Sequence, residues 1–175
     1  MRILVTGGVR SGKSTHAEDL IGGAPATYVA TGTPPDREQD PDWAARIDAH
    51  RDRRPVSWGT VETQDLAGVL AEADAPLLVD CLGTWLTAVI DAEGAWELDS
   101  DAVHDLVLTR ADEVVAALTR CEQDVVLVTN EVGLGIVPEH RSGRLFRDLL
   151  GVVNQRVAAA CDEVHLVVAG RVLRL

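Results

Sequence analysis

The sequence predicts an α/β protein built on a mostly parallel sheet with helices on both faces. Short β-branched apolar runs alternate along the chain with segments of helical spacing, the order that parallel strands joined by crossover helices require. A glycine-rich stretch, GGVRSGKS at 7–14, lies directly between the first apolar run and the first helix. Two Gly- and Pro-rich loops, 31–41 and 131–143, follow apolar runs at the strand ends where an open α/β sheet gathers its ligands.

In chain order, Ile3–Thr6 is the first strand and the glycine loop leads from it into a helix. Thr27–Thr31 is the second strand. The stretch DPDWAARIDAHRDRRP is expected to form a helix with Asp40 as N-cap, Pro41 in the first turn and Pro55 ending it. Leu77–Asp80 is the third strand. Residues 101–120 place Val103, Leu106, Val107, Val114 and Leu118 on one helical face, with Ser100 as the expected cap. Val125–Asn130 is the fourth strand, 143–160 a helix carrying Leu145, Leu149, Val152, Val153 and Val157, and His165–Ala169 the fifth strand.

With 175 residues, 46% of them hydrophobic and 25% charged, the chain is expected to be one soluble globular domain, 1–175. A net charge of -12 argues against nucleic-acid binding, which rewards a basic surface. The three cysteines, Cys81, Cys121 and Cys161, form no C-x-x-C pair and read as reduced, mostly buried thiols of a cytoplasmic protein. No secretory leader opens the chain, and no apolar stretch has the length of a membrane span.

The spacing of Gly7, Gly12, Lys13 and Ser14 after an apolar strand is that of a P-loop. Backbone N–H groups from Gly8 through Val9, Arg10, Ser11 and Gly12 to Ser14 would form a nest for phosphate oxygens at a helix start. Lys13, the only lysine in the chain, would reach the terminal phosphates, and Ser14 would hold magnesium. Asp80, at the end of the third strand, has the position of a second magnesium-side carboxylate. These features imply a nucleoside triphosphate without choosing ATP over GTP. The bland alternatives are a glycine turn before a helix and a strand-terminal Asp in a turn.

The helix at 40–55 adds something a phosphoryl transfer does not need. Arg46, His50 and Arg54 stand at i, i+4 and i+8, with Arg51 and Arg53 beside them. Four arginines would keep the imidazole neutral and therefore nucleophilic. Either this is a solvated basic helix with an incidental histidine, or the arginines hold phosphates while His50 attacks one.

Nearly end to end, the chain resembles the bifunctional adenosylcobinamide kinase and adenosylcobinamide-phosphate guanylyltransferase family of cobalamin biosynthesis. The likeness rests on ILVTGGVRSGKSTHAE, YVATGTP, ARIDAHRDRRP followed by W and TVE, LLVDCLGTWL, and the long block VVLVTNEVGLGIVPEHRSGRLFRDLLGVVNQRVAAACDEVHLVVAG. The resemblance implies a P-loop fold of the RecA-like kind and a histidine that carries GMP, here His50. Some relatives have a second histidine where this chain has Ala49. It also implies nucleotide contacts from the glycine loop, from Thr31, Gly32 and Thr33, from Arg51, Asp52, Arg53 and Arg54, from Glu62 and from Asp80, where some relatives have Glu. Magnesium at Ser14 and Asp80, ATP and GTP as substrates, adenosylcobinamide as acceptor and a homotrimer complete what it implies.

Elsewhere, His16 reads as a neighbour of the phosphate site or a surface residue, His104 and His165 as structural, and His140 as a loop residue without a partner. Glu131 is either a substrate contact or a loop hydrogen bond. A kinase with a bystander His50, and a GTP-dependent switch acting on a partner, are the competing readings.

Overall fold

The computed structural model describes residues 1–32 and 40–175, apart from the side chains of Trp43, Arg46 and His50. It shows a single seven-stranded sheet in the order β3-β2-β4-β5-β1-β6-β7. The strands are β1 (Arg2–Gly7), β2 (Thr27–Ala30), β3 (Gly59–Glu62), β4 (Leu77–Asp80), β5 (Val125–Val128), β6 (Glu163–Val168) and β7 (Arg171–Arg174). All neighbours are parallel except β6 and β7, which form a hairpin. The helices are α1 (Lys13–Ile21), α2 (Pro41–Arg53), α3 (Leu66–Ala71), α4 (Leu82–Ala92), α5 (Ser100–Arg120) and α6 (Arg141–Ala160).

Strand alternation divides the core in two. Leu4, Val29, Leu77, Val79, Val125 and Leu127 point to the face covered by α3, α4, α5 and α6. Ile3, Val5, Tyr28, Leu78, Val126, Val128 and Val167 point to the other face, under Ala17, Leu20 and Ile21 of α1. The expected α/β architecture with helices on both faces is therefore the observed one.

Several local expectations differ. The sequence pattern identifies neither β3 nor β7, because each is a short edge strand with all four residues exposed and nothing apolar to alternate. Ala169, expected in a strand, forms with Gly170 the two-residue turn of the β6–β7 hairpin, at φ 49 and 73. Helix α5 is capped by Asp99, whose carboxylate accepts the Ala102 N–H at 3.0 Å, while Ser100 is already its first residue. Helix α2 ends at Arg53, before Pro55, and Arg54 follows in a tighter turn with its N–H donating to the Arg51 carbonyl at 3.1 Å.

Candidate active site

Glycine is required at two places in the loop after β1. A Cβ on Gly7 would strike the backbone carbonyl oxygen of Val167, and Gly12 sits at φ 97, a conformation that L side chains rarely adopt. Arg10, at φ 57, makes the remaining left-handed turn, and Gly170 braces the loop from outside with its N–H on the Ser11 carbonyl at 2.8 Å. Helix α1 then begins at Lys13 with no side-chain cap and no acidic residue in its first turn. Its first N–H groups and positive dipole end suit an anion. Lys13 is buried, 6% exposed, and donates from Nζ to the Gly8 carbonyl at 3.2 Å.

Residues Arg10, Ser11, Gly12, Lys13, Ser14 and Thr15 line an open cleft of about 760 Å³. Asp42, Ala45, Ala49 and Arg53, one face of α2, line the same cleft. His50 lies on α2 directly after Ala49, and its side chain is outside the described set. The arginines near it are engaged with the body of the protein. Arg51 pairs with Glu62 at 2.5 Å, Arg53 with Glu18 at 3.2 Å, and the Arg54 guanidinium lies 3.3 Å from the Tyr28 ring centroid. Arg54 has therefore left the face it was expected to share with Arg46 and His50. The charges of Arg51 and Arg53 are matched by carboxylates, so the expected field of four arginines around the imidazole is reduced.

The residues expected to contact nucleotide do not all meet. Arg51, Arg54 and Glu62 line a second cleft, of about 470 Å³, beside Trp58. Asp52 is exposed on α2. Thr31 is fully buried, and its hydroxyl donates to the Cys81 carbonyl at 2.7 Å, next to the Thr84 hydroxyl at 2.8 Å. Gly32 packs beside Thr84, and Thr33 lies outside the described residues. Asp80 ends β4, on the α1 face by alternation with Leu78, and β5 separates its strand from β1.

A model of the family described as cobinamide kinase / cobinamide phosphate guanyltransferase matches residues 3–175. The chain belongs to that family. It is 51% identical to the bifunctional adenosylcobalamin biosynthesis protein CobU of Salmonella typhimurium, over 97% of each chain. It is 46% identical to the protein of the same description from Escherichia coli, again over 97% of each chain. With the bifunctional adenosylcobalamin biosynthesis protein CobP of Pseudomonas aeruginosa it shares 38% identity over 97% of this chain and 94% of the relative.

In this member of the cobinamide kinase / cobinamide phosphate guanyltransferase family, the donors available to a metal are of one chemical kind. Ser14 offers a hydroxyl and Asp80 a carboxylate, hard oxygen ligands of the type magnesium takes while keeping waters and phosphate oxygens in its other positions. Among the described residues no group of three or more His, Cys, Asp and Glu is placed to hold a metal by itself. The two residues thus fit a cation that arrives with its phosphates.

Three of the family member's histidines and carboxylates have structural partners. His16 Nε2 lies 2.9 Å from His165 Nδ1, and the other nitrogen of His165 lies 2.8 Å from Glu163. The ionised carboxylate only accepts, so His165 donates to Glu163 and His16 donates to His165. Burial and then His165 hold the His16 pKa below its ordinary value, which keeps it neutral near pH 7. The chain of bonds ties α1 to β6. Glu131 accepts the Gly133 N–H at 2.5 Å, a loop hydrogen bond, and its own N–H donates to the Gly7 carbonyl at 3.1 Å. Asn130 and Asn154, which sequence reasoning passed over, join the strand end next to the loop through Asn154 Nδ2 on the Asn130 carbonyl at 3.1 Å.

Proposed function

We propose that this protein phosphorylates adenosylcobinamide with ATP or GTP and then converts the product to adenosylcobinamide-GDP through a guanylyl group carried on His50. What supports this best is that α2, the helix bearing His50, lines the same cleft as the phosphate loop. A nucleophile on that helix and a polyphosphate on the loop share one solvent-accessible space, as two reactions of one triphosphate require.

In the first reaction the substrate hydroxyl oxygen bonds to the γ-phosphorus while the bond from that phosphorus to the β-bridging oxygen breaks. The hydroxyl proton is lost and the nucleoside diphosphate leaves. Lys13 and the N–H groups of the loop hold the charge that shifts onto the phosphate oxygens. In the second, the neutral His50 imidazole bonds to the α-phosphorus of GTP and pyrophosphate leaves, giving a phosphoramidate. A phosphate oxygen of adenosylcobinamide phosphate then bonds to that phosphorus, the N–P bond breaks, and the imidazole is released. Magnesium held by Ser14 and Asp80 would supply charge neutralisation on the phosphate oxygens of both reactions. The nucleotide contacts proposed for Arg51, Asp52, Arg53, Arg54 and Glu62 belong to the second, and those of Arg51 and Glu62 require opening of their ion pair.

We further place the protein in the cytoplasm as a homotrimer. The free state of Cys81, Cys121 and Cys161 supports the compartment, and no helix among the described residues is long and apolar enough to cross a membrane. The family resemblance is the support for the trimer. Incubation of the purified protein with adenosylcobinamide, magnesium and GTP is expected to yield the corrinoid phosphate first and its GDP derivative second, with ATP supporting the first product alone. Separation of the corrinoids by chromatography checks both. No phosphorylated corrinoid would overturn the reading, and a phosphate that never advances to the GDP derivative would reduce it to a kinase.

A further inference from the structure

We infer that Asn130 donates its side-chain amide to the terminal phosphate of the nucleotide in the phosphate-loop cleft and thereby distinguishes a triphosphate from a diphosphate. The inference rests on the reading of that loop as a triphosphate site. Strand β5 lies between β1, which carries the loop, and β4, which carries Asp80. Its pairing with β1 continues beyond Val128, with the Thr129 N–H on the Val5 carbonyl at 2.9 Å and the Glu131 N–H on the Gly7 carbonyl at 3.1 Å. Extended alternation therefore holds through Asn130. Val126 and Val128 point to the α1 face, and Asn130 follows them there, as Asp80 follows Leu78. At the carboxyl edge of the sheet, on one face, Lys13, Asn130 and Asp80 come from three neighbouring strands in a row.

The structure holds the backbone of Asn130 more firmly than its side chain. Asn154 of α6 uses both ends of its amide there, accepting the Thr129 hydroxyl at 2.6 Å and donating to the Asn130 carbonyl at 3.1 Å. The carboxamide of Asn130 reaches only the Cys81 sulfur, a weak acceptor, at 4.0 Å. It lies across the first turn of α4 where Gly83 leaves room, since a Cβ there would come within 3.2 Å of the Asn130 nitrogen. A fixed backbone and a weakly engaged donor, between the lysine and the carboxylate expected to meet the phosphates, give a pre-positioned hydrogen bond for a terminal phosphate oxygen.

The test uses the α,β-methylene analogues of GTP and GDP with magnesium, which the histidine cannot cleave, and compares their affinities by calorimetry. Wild-type protein is expected to prefer the triphosphate analogue, and Asn130→Ala to reduce that preference about tenfold with little change in diphosphate affinity. Asn130→Asp, of the same shape but with no donor and an added negative charge, is expected to reduce it further and guards against a packing effect of the smaller side chain. An unchanged preference in both variants, or an equal loss of both affinities, would overturn the inference while leaving the phosphate-loop reading intact. Absence of binding to either analogue by the wild-type protein would remove that reading and the inference together.

Discussion

Lys13→Ala is expected to lower the rate of corrinoid phosphorylation by about 10³-fold, the scale of losing a preorganised charge contact to the transferring group. Lys13 is the only lysine in the chain, it is 6% exposed, and the loop around it offers the Gly8 carbonyl at 3.2 Å in place of phosphate oxygens. An ammonium held out of water is costly, so its removal is expected to leave the urea midpoint unchanged or slightly raised. That combination separates a lost function from a lost fold. Lys13→Arg is expected to recover little, since a planar guanidinium does not replace a compact charge in a loop closed around it. Initial rates of nucleoside diphosphate release in the presence of adenosylcobinamide, set beside urea unfolding, check the prediction. Retention of more than about a tenth of the wild-type rate would contradict the role assigned to this residue.

Gly7→Ala is expected to abolish nucleotide binding and to destabilise the protein by about 2–3 kcal/mol, the range for a side chain forced into occupied space. The added methyl group would meet the Val167 backbone carbonyl oxygen, which a strand of the sheet holds in place, and would lie 2.7 Å from Ser11 Oγ. Relief requires β1 and β6 to separate or the loop to swing out, and either moves the N–H groups that face the phosphates. Gly8→Ala is the natural control, because a Cβ at Gly8 meets nothing within 4 Å. Urea unfolding and calorimetric titration with the GTP analogue should show a severe Gly7 variant and a mild Gly8 variant, and equal behaviour of the two would contradict the close-approach explanation.

What the sequence disclosed follows from how locally each feature is encoded. The glycine loop, its lysine and the strand before it are contiguous and could be read directly. Helices α5 and α6 could also be read, since each presents an apolar stripe to the core and a polar face to water. Helix α4 could not, because Leu82, Trp85, Leu86, Val89 and Ile90 surround it with buried positions and erase the periodicity. Strands β3 and β7 carry no alternation because neither has a buried face. The site divides in the same way. His50 and its arginines were visible as a motif, but their pairing with Glu18, Glu62 and Tyr28 depends on the α2 end packing against α1, β2 and β3. The clamp of Asn154 on Thr129 and Asn130 joins residues 24 and 25 apart and exists only once α6 lies on the sheet.

The central claim is that one cleft serves two chemistries, and the histidine step tests it most directly. Purified protein is incubated with magnesium and GTP labelled at the α-phosphate, beside His50→Ala, then denatured and examined for bound label. Retained label that is labile to acid, stable to alkali and absent from the variant is the predicted result, the signature of a phosphoramidate on His50. An unlabelled wild-type protein that still phosphorylates adenosylcobinamide, or equal labelling of the variant, would contradict the account.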